Sequence, residues 1–136
     1  MRKLLATAAA LLAVGCSATG ENFSAIKKPS ENNAMLYVYR PSQLYGGGLY
    51  YDVHIDKELM GTLKNGAFLE KELPAGTYEI WAETEAKRNI DVTLEPATVT
   101  CIRGGVTLGF MVGRPTFSPV PLNQCTEELA GTARPE

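Results

Sequence analysis

Three cysteines, a single histidine and six tyrosines carry most of the chemistry that this 136-residue chain could perform. His54 stands between Asp52 and Asp56, and on a strand this i−2, i, i+2 spacing puts all three side chains on one face. Such a trio could hold a weak cation, yet a lone histidine among dispersed carboxylates does not supply a zinc site, so a polar strand surface is the plainer reading and no metal is expected. No nucleophile lies near a base at motif spacing; the chain is read as a non-enzyme with no catalytic residues. Gly46-Gly47-Gly48 lacks the Lys-Ser/Thr of a phosphate loop, which leaves permissive backbone geometry as its role and no cofactor to expect. Tyr45, Tyr50 and Tyr51 bracket those glycines, and Tyr37 and Tyr39 project together from the strand before them. Tyrosine offers rigid contact area with a polar tip. These five are therefore the candidate partner-binding residues, with cross-strand packing as their alternative use.

The N-terminus says more about place than about activity. Arg2 and Lys3 precede an apolar run from Leu4 to Val14, too short for the ~20 residues that span a bilayer and typical of a secretion signal. The run ends Leu11-Leu12-Ala13-Val14-Gly15-Cys16, which resembles the lipobox of bacterial lipoproteins. By that resemblance residues 1–15 are a removable signal peptide and Cys16 is the acylated N-terminus of the mature protein. Ser17, a residue other than Asp after the cysteine, points by the same resemblance to the outer membrane of a two-membraned cell; a domain facing the periplasm is the localisation expected there.

Removing 15 of 136 residues leaves 121, enough for one domain. The signal holds two of the 13 basic groups, so 11 remain against 15 acidic ones, a formal charge of −4. No basic patch is available to follow a phosphate backbone, and nucleic acid is not an expected partner. If Cys16 carries lipid, Cys101 and Cys125 are the only thiols left, an even pair in a compartment where disulfides persist. Their bond is expected to stabilise the fold by roughly 3–4 kcal/mol in the chain-entropy account.

Residues 16–33 are polar and punctuated, with Phe23 and Ile26 the only sizeable apolar residues, and read as a flexible tether on which one of these two could dock. Residues 34–131 are read as one β-sandwich domain, and from Ala34 to about residue 120 the pattern has period two: Leu36 and Val38 against Tyr37 and Tyr39, Val53 and Ile55 against His54, Tyr78, Ile80 and Ala82 against Glu79, Trp81 and Glu83, and Ile90, Val92 and Leu94 against Asp91 and Thr93. Turn signals recur about every 8–12 residues, a spacing typical of sandwiches and barrels, so an all-β domain is expected and is read as a single antiparallel β-sandwich. Gly104-Gly105 reads as either a hairpin turn or a bulge. Pro115, Pro119 and Pro121 suit an edge strand or an extended connection. Only Asn123 to Ala130 looks helical, with Asn123 as N-cap and Gly131 as stop, and residues 132–136 form a tail.

Three stretches in order, Ala34-Met-Leu-Tyr-Val-Tyr-Arg-Pro41, Val53-His-Ile-Asp-Lys-Glu-Leu-Met-Gly61 with Asn65-Gly66, and Leu73-Pro-Ala-Gly-Thr-Tyr-Glu-Ile80, resemble the bacterial lipoprotein family called domain of unknown function 2846. The last two are also similar to the prealbumin-like sandwiches of carboxypeptidase regulatory domains and PEGA modules. The resemblance implies an exported, membrane-anchored sandwich and brings no catalytic residues. It favours a module that binds another envelope or secretion-assembly protein through an edge strand or loop. A glycan- or small-ligand-binding lipoprotein using the tyrosine face is the alternative.

Overall fold

The computed structural model describes residues 17–136. The signal and Cys16 lie outside the described residues. Among the described residues eight strands and one helix follow in order: β1 (Asn33–Tyr39), β2 (Tyr51–Ile55), β3 (Glu58–Leu63), β4 (Phe68–Pro74), β5 (Gly76–Glu83), β6 (Lys87–Leu94), β7 (Val99–Thr107), β8 (Arg114–Val120) and α1 (Leu122–Leu129). They form two four-stranded sheets, β4-β1-β7-β8 and β3-β2-β5-β6. The expected all-β sandwich with a short C-terminal helix is what the chain builds. All pairings are antiparallel except β1 with β7, which run parallel, so that the C-terminal ends of both strands lie at one end of the sandwich.

Between the sheets lie Leu36, Val38, Val53, Ile55, Leu63, Ile80, Val92, Leu94 and Ile102, all buried, as period two demands of the inward face. β1 departs from that simple alternation because its second face is buried as well. Met35, Tyr37 and Tyr39 pack with Phe68, Cys101, Cys125 and Leu129 in a separate cluster under α1. A third layer thus covers the first sheet. The Cys101–Cys125 disulfide pins that layer to β7, with the two Cα atoms 6.1 Å apart.

The segment after Ser17 is docked rather than a free tether: Phe23 N–H donates to Thr132 O (2.9 Å), Gly20 N–H to Arg134 O (2.9 Å), and the Phe23 ring meets Tyr37 and Phe68 edge-on. Residues 132–136 are likewise no loose tail, because Ala133 N–H donates to Gly66 O and Phe68 N–H to Ala133 O. Glu70 on β4 locks both, accepting Lys27 Nζ at 2.5 Å and Arg134 Nη2 at 2.6 Å. Gly104-Gly105 is neither turn nor bulge. β7 runs through it in unbroken register with β8, and a Cβ at Gly104 would sit 2.7 Å from Leu63 Cδ2, so the glycine permits close packing of the two sheets. The helix starts one residue before Asn123, with Pro121 as N-cap and no side-chain cap. Pro115 and Pro119 do lie on an edge strand, β8.

Candidate functional site

Because β1 and β7 are parallel, the β1–β2 loop (40–50) and the β7–β8 loop (108–113) leave the sandwich at the same end. The β3–β4 loop (64–67) and the β5–β6 turn (84–86) join them there. Arg40, buried at the base, donates from its guanidinium to Leu49 O (2.5 Å) and Gly46 O (2.6 Å) and so holds the first loop against the strand ends. Gly46 takes φ +68°, a conformation side chains rarely adopt. Asn65 supports the same loop from the β3–β4 side: its Oδ1 accepts Gln43 N–H at 2.9 Å and its Nδ2 donates to Ser42 Oγ at 3.4 Å.

The second loop is braced by Glu85. Its carboxylate accepts the backbone N–H of Phe110, the N–H of Met111 (2.9 Å) and Arg114 Nε (3.1 Å), while Thr84 Oγ1 donates to Gly113 O (2.8 Å). The hydrogen bond from Met111 N–H, helped by Phe110 N–H and the Arg114 charge, holds the Glu85 carboxyl below the usual glutamate range. A loop fixed in this way still turns its apolar side chains outward. Leu108, Phe110 and Met111 are 78, 87 and 79 % exposed, and Leu44 on the neighbouring loop is fully exposed. Soluble domains scatter such residues singly; here they are grouped at one end.

The five candidate tyrosines do not form one surface. Tyr37 and Tyr39 are fully buried beneath α1 and the N-terminal segment. Tyr37 Oη accepts Lys27 N–H (2.8 Å), and Tyr39 Oη donates to Glu128 (2.7 Å). Tyr51 lies in the main core, donating to Gly105 O at 2.8 Å. Burial pushes the phenols of Tyr39 and Tyr51 well above their ordinary range. Both faces of β1 are covered by protein, which strand alternation alone does not reveal. Only Tyr45 and Tyr50, each half-exposed, remain surface candidates, and they stand on the apolar end. Residues 108–113 escaped the sequence reading. The signal was the run Leu-Gly-Phe-Met-Val-Gly, apolar, without period two and closed by glycine.

On the outer face of the second sheet, His54 stacks on Trp81 with ring centroids 4.1 Å apart, and Lys87 Nζ lies 4.7 Å from the Trp81 ring centre. Asp52 accepts Thr62 Oγ1 (2.7 Å) and Asp56 Oδ1 accepts Glu79 N–H (2.8 Å), so each carboxylate has a structural partner. Among the described residues no group of three or more His, Cys, Asp or Glu is arranged to hold a metal ion, and no helix is long and apolar enough to cross a membrane. An open groove of about 470 Å³ between the N-terminal segment and α1 is lined mainly by Phe23, Ala25, Ile26, Leu122 and Ala130. Ser24 and Thr126 are the polar residues of its lining, and the Thr126 hydroxyl donates to Leu122 O within the helix (2.9 Å).

The family model described as protein of unknown function (DUF2846) matches residues 30–104, more than half of the chain. The chain belongs to this family. The DUF2846 region thus runs from just before β1 into β7, and includes the β1–β2, β3–β4 and β5–β6 connections of the apolar end. The Leu108–Gly113 loop, α1 and Cys125 lie beyond it. No curated protein matches the chain.

Proposed function

We propose that this DUF2846 protein is an exported lipoprotein, held on the bacterial cell envelope by acylated Cys16, whose non-catalytic domain uses its apolar loop end as a contact surface. One observation carries the reading: the braced, outward-facing side chains of Leu108, Phe110 and Met111 stand at the same end as Ser17, the residue next to the anchor. The disulfide agrees with export to an oxidising compartment. The resemblance to lipoprotein signals, with Ser17 after the cysteine, supports placement at the outer membrane, and a periplasm-facing domain is part of the same proposal. An envelope protein partner would add at the outer edge of β3, where Leu59 is exposed.

The test is Cys16→Ser in the full chain. The account expects the acyl mass to vanish from the N-terminal peptide and the protein to leave the membrane fraction. Unchanged fractionation and an unmodified wild-type Cys16 would refute the anchor.

A further inference from the structure

We infer that the occupant of the apolar end is the lipid bilayer itself, with Leu44, Leu108, Phe110 and Met111 inserted beside the acyl chains on Cys16. The inference rests on the reading that Cys16 carries lipid, and deepens it by assigning a second, protein-borne membrane contact.

The attachment point decides the geometry. Ser17 pairs with Asn65, and Ala18 N–H donates to Asn65 O at 3.1 Å. Asn65 is the residue whose side chain holds Ser42 and Gln43 of the β1–β2 loop. Cys16 is one residue earlier, a reach of about 4 Å. In the first sheet, β4, which follows the Asn65 loop, is separated from β7 and β8 by two and three strand spacings. Ser17, paired with Asn65, and the Phe110 loop therefore lie roughly 10–15 Å apart across one end. A docked N-terminal segment leaves no long tether to lift this end from the membrane. Acyl chains at Cys16 bring these loops to the headgroup layer.

The loops are suited to that layer. Leu108, Phe110 and Met111 protrude at 78, 87 and 79 % exposure, so insertion removes apolar area from water without unfolding anything. The backbone N–H groups of Phe110 and Met111 are already satisfied by Glu85, which matters where few water partners remain. Tyr45 and Tyr50, half-exposed on the flank, have the amphipathic character found at membrane–water interfaces. A second copy of the chain or an envelope protein could also cover the patch. Neither would explain why it adjoins the chain's exit toward Cys16.

The experiment uses the mature protein purified from membranes and reconstituted into phosphatidylethanolamine–phosphatidylglycerol vesicles with brominated acyl chains. Wild-type protein has Trp81 as its single tryptophan, on the outer face of the second sheet; a Trp81→Phe/Phe110→Trp variant carries the reporter on the loop instead. The mass of the N-terminal peptide is read from the same sample. With Cys16 acylated, the loop reporter should lose most of its emission to the bromines while Trp81 keeps its own. An acylated protein whose loop reporter is unquenched overturns the bilayer contact and leaves the anchor standing. A loop reporter that is blue-shifted but unquenched assigns the patch to a protein neighbour, which also overturns it. An unacylated Cys16 removes both readings. A Leu108→Trp reporter in the Trp81→Phe background repeats the measurement if the first variant folds poorly.

Discussion

The two ends of the sandwich are built from the same strands and end in opposite chemistry. At one end the connections are short and polar: Asp56-Lys57, Pro74-Ala75-Gly76 and Glu95-Pro96-Ala97-Thr98, every residue outside Gly76 exposed. Asp56 and Ala97 accept positive φ, 51° and 60°, to keep two of these turns tight. At the other end two long loops carry exposed leucine, tyrosine, phenylalanine and methionine, and three polar residues, Arg40, Asn65 and Glu85, are committed to holding them in place. Tight polar turns meet the needs of chain reversal alone. Ordered apolar loops, which no core requires, indicate a surface with a use.

If that contrast is right, stability and surface function should separate by position. Tyr39→Ala removes a fully buried ring and its hydrogen bond to Glu128, and should cost about 3–5 kcal/mol in denaturant unfolding. Tyr45→Ser with Tyr50→Ser should cost less than about 1 kcal/mol, since each ring is half in water already. Equal losses would place the loop tyrosines in the core and dissolve the contrast.

Glu70 gives an intermediate effect. Burial raises its pKa, but hydrogen bonds from Lys27 and Arg134 outweigh this, and the carboxyl titrates below the usual range. A depressed carboxylate pKa contributes stability that is present above the unfolded value and lost as pH falls through the lower native one. Docking of the N-terminal segment and the C-terminal residues should therefore weaken at acid pH, and Glu70→Gln should cost about 1 kcal/mol at neutral pH and remove this part of the acid dependence. Amide exchange at Phe23 and Ala133 reads both outcomes; if neither residue responds, the lock lies elsewhere.

The smallest effect on unfolding is expected from Glu85→Ala. The substitution frees Phe110 and Met111 N–H, so their amide exchange should rise sharply while the midpoint of unfolding hardly moves. A large drop in the midpoint would make the loop part of the fold's foundation rather than a presented surface.

Much of this fold is legible in the chain. Val53 and Ile55, or Ile80 and Ala82, alternate cleanly because one face of each strand meets the core and the other meets water or a polar neighbour. The pairing of Cys101 and Cys125 follows from arithmetic once Cys16 is set aside. Tyr37 and Tyr39 mislead because the second face of their strand is buried by α1 and by residues near Phe23, elements distant in sequence whose own composition is polar. The bracing of residues 110 and 111 by Glu85 is equally non-local. A charged residue in a hairpin turn gives no sign that it will cap another loop some 25 positions away.

The two-ended account is tested most directly by amide hydrogen exchange on the full chain expressed in cells, purified from membranes and placed in detergent-free vesicles, compared with the Cys16→Ser variant in solution. The account predicts that vesicles protect residues 42–50 and 108–113 while the turns at 56–57, 74–76 and 95–98 exchange at unchanged rates. Protection of the polar turns, or of neither end, would contradict it.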